Sequence, residues 1–280
     1  MKKIIITLSL LCAILITSGC NEKSSDVKIS AVSHRGERDF APQNTVGGVK
    51  LAFELGAELT EVDFYLTKEG QMVCVHCKPT LKETWGIDKN PSDITLEDVK
   101  NSKLANPKKY DAKFANEKLP LIDDIFAVIP KDKRFELEIK GAYNDKFADK
   151  VEQARIKAGL DYDNIIITCF EIKNLKDFKA RYPKYKTQYN TGYWRNKNAD
   201  ELIAQAKDAG ISEIAFGDYR KIDRAFVKKL QDAGFNVSVW QVQNLEDLAY
   251  ATKLGANRVC SDHAYKLRQN YKLIKSLDFK

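Results

Sequence analysis

From residue 29 onward, short runs that alternate apolar and polar positions take turns with longer runs whose apolar residues recur every three or four positions. The alternating runs fall at 29–33, 59–65, 134–140, 164–168, 185–189, 213–216, 236–241 and 257–260 and predict strands. The helical pattern occupies 45–55, 121–128, 145–158, 175–181, 199–209, 224–233 and 245–254. Gly56, Gly159, Gly210, Gly234 and Gly255 stand where such helices stop. Eight strands alternating with these helices predict an α/β fold, a (β/α)8 TIM barrel. A doubly wound open sheet shares this rhythm, but no glycine-rich phosphate loop follows the first strand. A further strand-like run at 71–76 follows 59–65 after only Thr67-Lys68-Glu69-Gly70. Parallel neighbours need a crossover of about a dozen residues, so this run pairs antiparallel, as a hairpin. Residues 77–133 are less regular: 84–91 is turn-rich and 96–104 suits a short helix. They read as an insertion on the face that carries the chemistry. Residues 29–280 then form a single domain.

The first 28 residues follow another pattern. Lys2 and Lys3 precede an apolar stretch at 4–16 broken only by Thr7 and Ser9. It is shorter than the ~20 residues a membrane-spanning helix needs and fits a signal peptide over 1–19. Thr17-Ser18-Gly19-Cys20 resembles a bacterial lipobox, with Thr17 where leucine is usual. Cys20 is therefore the expected lipidated residue and 20–28 a polar tether. The expectation is an exported lipoprotein, anchored to a membrane at its periplasmic or extracellular face.

Composition narrows this little. With 44% hydrophobic and 30% charged residues the chain is of ordinary globular type, which excludes disordered and collagen-like classes. A charge of +7, spread along the sequence, does not make a nucleic-acid binder. It suits at most an anionic small molecule. Beyond Cys20 the later cysteines are Cys74, Cys77, Cys169 and Cys260. Alternation in Cys74-Val75-His76-Cys77 puts the two thiols on opposite faces, and no second cysteine pair exists for zinc. These four are expected to be buried free thiols.

Polar residues at strand ends carry the chemistry. In Glu61-Val62-Asp63 both carboxylates share one face, and in Glu136-Leu137-Glu138-Ile139-Lys140 two acids and a lysine do. Both faces of a barrel strand are covered, so inward carboxylates need a cation; oxygen ligands suit Ca²⁺ or Mg²⁺. His34 and His76 end two different strands and suit general acid–base work. Arg35 offers a forked cation for phosphate and Lys140 a point charge. His263 reads as a surface residue.

Taken in order, these residues resemble the glycerophosphodiester phosphodiesterases. His34-Arg35-Gly36 matches the family's opening motif, and Pro42-Gln43-Asn44-Thr45 its Pro-Glu-Asn-Thr. Gly56-Ala57, Glu61-Val62-Asp63, Thr67-Lys68-Glu69-Gly70, His76 and Glu138-Ile139-Lys140 follow, with Val239-Trp240 and Ser261-Asp262 as late echoes. The resemblance implies a TIM barrel with a small insertion near the second histidine. It implies one divalent cation on Glu61, Asp63 and Glu138, an acid–base pair in His34 and His76, phosphate contacts from Arg35 and Lys140, and Trp240 as a wall for the glycerol. The implied reaction is attack of a glycerol hydroxyl on phosphorus, release of an alcohol, and opening of the cyclic phosphate by water to glycerol 3-phosphate. Gln43 replaces the family's Glu, Cys77 the Asp after the second histidine, and Gln241-Val242-Gln243 a common Thr-Val-Asn. These departures leave substrate preference open. Lysophospholipase D-like action on lysolipids and a non-catalytic ligand-binding barrel are the alternatives. An apolar groove in the insertion would favour the first of these.

Overall fold

A computed structural model describes residues 29–192 and 198–276; the leader, Cys20 and the tether lie outside the described residues. The elements are β1 Ser30–His34, α1 Val46–Glu54, β2 Leu59–Leu66, β3 Met72–Cys74, α2 Lys78–Trp85, α3 Leu96–Asn101, α4 Ile122–Phe126, β4 Arg134–Lys140, α5 Asp145–Ala158, β5 Ile165–Cys169, α6 Ile172–Arg181, β6 Lys186–Thr191, α7 Ala199–Asp208, β7 Glu213–Phe216, α8 Arg224–Asp232, β8 Asn236–Trp240, α9 Leu245–Leu254, β9 Arg258–Ser261 and α10 Ala264–Ser276. Eight strands pair in parallel in the order β1-β9-β8-β7-β6-β5-β4-β2, and β1 also pairs β2, which closes the barrel. This is the expected TIM barrel. β3 hangs antiparallel on β2, Phe64 opposite Cys74, as the four-residue turn requires.

Each strand enters at one face of the barrel and delivers its C-terminal end to the other. β1 begins at Ser30 on the first face and brings His34 to the second; β2, β4 and β8 bring Asp63, Lys140 and Trp240 to the same rim. The outward positions, among them Val62, Phe64, Leu137, Ile139, Ile165 and Ile167, are buried under the helices in one continuous core. The predicted helix ends hold: Gly159 and Gly255 cap α5 and α9 in the left-handed conformation.

Residues 75–133 contain three features the sequence pattern hid. α2 occupies part of the stretch expected as turns, because its apolar pair, Leu81 and Trp85, is too short a series to show a period. α3 ends at Asn101, where Ser102 turns extended. Val73, Val75, Leu81, Trp85, Ile94, Leu104 and Leu119 form a small separate core. At roughly 1.5–3 kcal/mol for each large side chain withdrawn from water, this holds the segment as structure. α10 was also unread from the sequence. Among the described residues, no helix is long and apolar enough to cross a membrane.

Candidate active site

The register of β2 and β4 sets Glu61 beside Glu136 and Asp63 beside Glu138, so four carboxylates enter the barrel from two adjacent strands. Three of them converge: ligand oxygens of Glu61, Asp63 and Glu138 lie within 4.8 Å of one another, all buried. Glu136 does not join them. It sits one pleat deeper, where Arg258 Nη1 comes to 3.4 Å, and Arg258 also pairs with Glu213 and donates to Gln188. Glu136 thus finds its cation in the protein.

The trio is held from above. Arg35 sits in the left-handed region at φ 58°, which turns its backbone N–H onto Glu61 Oε2 (3.1 Å) and its side chain back to Asp63 Oδ2 (3.2 Å). Gly36 follows at φ 82°, and a Cβ there would stand 2.7 Å from the Gly48 backbone. Lys140 Nζ pairs with Glu138 Oε1 at 2.5 Å and Asp63 Oδ1 at 3.4 Å. Three carboxylates against two cations leave one net negative charge. Burial, then repulsion from Asp63 and Glu138, raises the Glu61 pKa well above the carboxylate range. Burial and Asp63 push Glu138 up to about 7, against the pull of Lys140. Asp63 is equally buried, yet Lys140 and Arg35 hold it below its ordinary value.

One oxygen each of Glu61, Asp63 and Glu138 (Oε1, Oδ1 and Oε1) is buried without a hydrogen-bond partner, Lys140 meeting the last two only as an ion pair. Three convergent, under-satisfied carboxylate oxygens fit a hard divalent cation, which would turn the local charge positive. Gln43, in place of the family's acid, accepts from Arg35 Nη1 at 2.9 Å and so keeps the guanidinium in place.

His34, Arg35, Glu61, His76, Glu138, Lys140 and Trp240 line one cleft of about 90 Å³, together with Gln188, Asn190 and Gln241. All the expected site residues inside the described segments thus come together. Phe170 packs edge-on against Trp240, 5.6 Å between ring centres, and Lys140 Nζ lies over Phe170. The cleft has room for several water-sized groups at about 10–15 Å³ each. In the insertion Leu81 and Trp85 are buried in its own core, while Tyr110 and Phe114 line a separate groove with Phe40, Leu51, Leu55 and Tyr265.

Several contributors carried no role in the sequence reading. Asp262 follows the last residue of β9, and its Oδ1 lies 2.6 Å from His34 Nδ1. Arg38 Nη1 donates to the same oxygen at 2.5 Å, and Gln243 Nε2 to Oδ2 at 3.2 Å. Burial and Arg35 lower the His34 pKa while Asp262 opposes them. The available signals were the late Ser261-Asp262 echo of the family and position, a polar residue just past a barrel strand's C-terminal end. Asn44, left-handed at φ 55°, donates from Nδ2 to Asp63 Oδ2 (2.9 Å) and accepts the Asp63 N–H (3.1 Å). Replacing Asn44 with glycine, which keeps that backbone and removes the amide, is expected to lower kcat/KM about 10–100-fold. Steady-state kinetics with an unchanged melting curve would check this. His263 is partly exposed and pairs with Asp39 at 2.7 Å, which agrees with a surface position. Cys74, Cys169 and Cys260 are buried free thiols as expected; Cys77 is partly exposed because it starts α2 at the rim.

The sequence profile of the Glycerophosphoryl diester phosphodiesterase family matches residues 34–266. A glycerophosphodiester phosphodiesterase from Caldanaerobacter subterraneus subsp. tengcongensis is 29% identical over 242 residues, covering 84% of this chain and 95% of its own. An Oleispira antarctica phosphodiesterase, solved with the product sn-glycerol-3-phosphate, superposes with a TM-score of 0.72 at 19% identity, over 87% of this chain and 96% of its own. A Thermotoga maritima glycerophosphodiester phosphodiesterase gives 0.68 at 20% identity, over 86% and 97%. At such identities the two structures speak for the fold.

Proposed function

The chain belongs to the glycerophosphoryl diester phosphodiesterase family of phosphoric diester hydrolases, and from that premise we propose that it converts glycerophosphodiesters to glycerol 3-phosphate and an alcohol. The observation that carries this reading is the convergence of the Glu61, Asp63 and Glu138 carboxylates with two histidines in one small polar cleft.

We propose that Glu61, Asp63 and Glu138 hold one divalent cation, Ca²⁺ or Mg²⁺. Such an ion, when bound, polarises a phosphoryl oxygen and makes a bound hydroxyl more acidic. Arg35 and Lys140 offset the charge that accumulates on the phosphoryl oxygens. The Asp262 carboxylate can only accept, so it fixes the His34 hydrogen on Nδ1 and leaves Nε2 as a lone pair. That nitrogen is suited to take the proton of the attacking glycerol hydroxyl. His76 is left to serve the departing alcohol, and Trp240 to wall the glycerol. The leader and the Thr17-Ser18-Gly19-Cys20 motif support a further reading, that Cys20 carries a lipid and tethers the enzyme outside the membrane.

The test is release of glycerol 3-phosphate from glycerophosphocholine, glycerophosphoethanolamine or glycerophosphoglycerol. Product is expected with added Ca²⁺ or Mg²⁺, not with excess chelator, and again when the ion is restored. Glu61→Gln should cut the rate about 100-fold or more. No product from any of the three diesters would overturn the reaction, and undiminished activity in Glu61→Gln would overturn the ion's place.

A further inference from the structure

Cys77 stands between β3 and α2 with its Sγ 3.2 Å from His76 Nδ1. The sulfur's other polar neighbour is Thr80 Oγ1, at 3.6 Å. That hydroxyl already gives its hydrogen to the Cys77 carbonyl (2.9 Å) and accepts the Cys77 N–H (3.1 Å). Thr80 therefore has no hydrogen for the sulfur, whose own hydrogen can reach His76 Nδ1 at 3.2 Å or Thr80 Oγ1 at 3.6 Å, Nδ1 being the nearer. With Nδ1 accepting, the hydrogen of the neutral ring sits on Nε2, the nitrogen left for the cleft. His34 is the reverse case, because its Nδ1 faces a carboxylate. With Nδ1 accepting at His76 and donating at His34, the two rings hold opposite tautomers.

We propose that Cys77 and His76 form a proton relay in which the thiol supplies the proton taken by the leaving alcohol. The relay rests on the glycerophosphodiester reading of the site. As the P–O bond to the alcohol breaks, Nε2–H passes to the alcohol oxygen and Sγ–H passes to Nδ1. Sulfur is left as thiolate and the ring stays neutral. When water then attacks the cyclic phosphate, its proton goes to Nε2 and the Nδ1 hydrogen returns to sulfur. The glycerol oxygen freed by ring opening takes back the proton that His34 removed from it. Every proton is returned, and no further reagent is consumed.

The Sγ–Nδ1 contact of 3.2 Å places a donor behind this ring, where the chemistry calls for one. Burial, then the charges of Arg35 and Lys140, push the His76 pKa down to about 4 against the pull of Asp63, so the ring is uncharged at neutral pH. An uncharged imidazole that gave up Nε2–H unaided would leave as an imidazolate, whereas thiols lose a proton at mildly alkaline pH. Cys77 acts through His76 and is a positioning residue.

The experiment compares Cys77→Ala with the full chain on two diesters of glycerol phosphate. The choline ester needs a proton for its alcohol to leave; the 4-nitrophenyl ester releases a stable phenolate. Cys77→Ala is expected to lower kcat about 100-fold on the first with KM within about twofold, and less than threefold on the second. Equal losses on both esters would mark a scaffold role and overturn the relay, as would full activity on the choline ester. The ¹⁵N-resolved imidazole spectrum of the unaltered chain, with His76 assigned by His76→Gln, reads the tautomer without any turnover. The His76 hydrogen is expected on Nε2; a hydrogen on Nδ1 overturns the relay. If the full chain cleaves neither ester, the proposed reaction has failed, and the spectrum still decides the Cys77–His76 pair.

Discussion

Changing His34 to alanine is expected to lower glycerophosphocholine turnover by about 10³-fold, the range for a lost general base. The loss should appear in kcat, because His34 makes none of the charge contacts that Arg35 and Lys140 bring to the cleft. Folding should survive: Asp262 keeps Arg38 at 2.5 Å and Gln243 at 3.2 Å, so no buried charge is stranded. Divalent-ion affinity, measured by calorimetry, should change little, since His34 is not among the three clustered carboxylates and its Nε2 lies 3.9 Å from Glu61 in the unaltered chain. Retention of more than a tenth of the wild-type kcat would remove His34 from the role of base.

The second large effect concerns stability. Arg258 is 4% exposed, and Glu136 and Glu213 are 3% and 1% exposed. Arg258→Met strands both carboxylates inside the barrel, with the Gln188 amide 3.5 Å from Glu136 and Arg134 as the remaining positive charge acting on it. Removing one partner of a buried ion pair typically costs about 3–5 kcal/mol. For a domain of this size that is a fall in Tm on the order of 10 °C. Burial already raises the Glu136 pKa while Arg258 opposes it, so the variant should take up a proton rather than keep two charges. Circular dichroism melting would measure the fall. The triple change Arg258→Met, Glu136→Leu and Glu213→Leu should recover most of it, since no charge is then left unpaired. A single variant that melts with the wild type would mean the network carries no net stability.

These two positions show where sequence reading succeeds and stops. His34, Glu61, Asp63 and Lys140 were legible because strand alternation assigns a face, and a polar residue on an inward face near a strand end has few uses. Alternation does not assign depth. Glu136 and Glu138 look alike in the sequence, and only the barrel's closure shows that Glu136 lies level with Arg258 from the far end of the chain. Asp262 and Asn44 were hidden for the same reason, their partners being 228 and 19 residues away. α2 was missed because eight residues with two apolar positions leave no measurable period, and the buried setting of Trp85 depends on residues up to Leu119.

β1 runs from Ser30, on one pole of the barrel, to His34 on the other. With a lipid at Cys20, the mooring line is nine residues long at most, about 30 Å fully stretched. It leaves from the pole opposite the cleft, so the body of the barrel stands between bilayer and cleft mouth. So moored, the enzyme would have its opening turned from the anchor, like a buoy, and would sample the aqueous side. It would collect diesters that have already left the membrane and would not crop lysolipids from the sheet that holds it. Lengthening the tether should therefore leave glycerophosphocholine turnover unchanged.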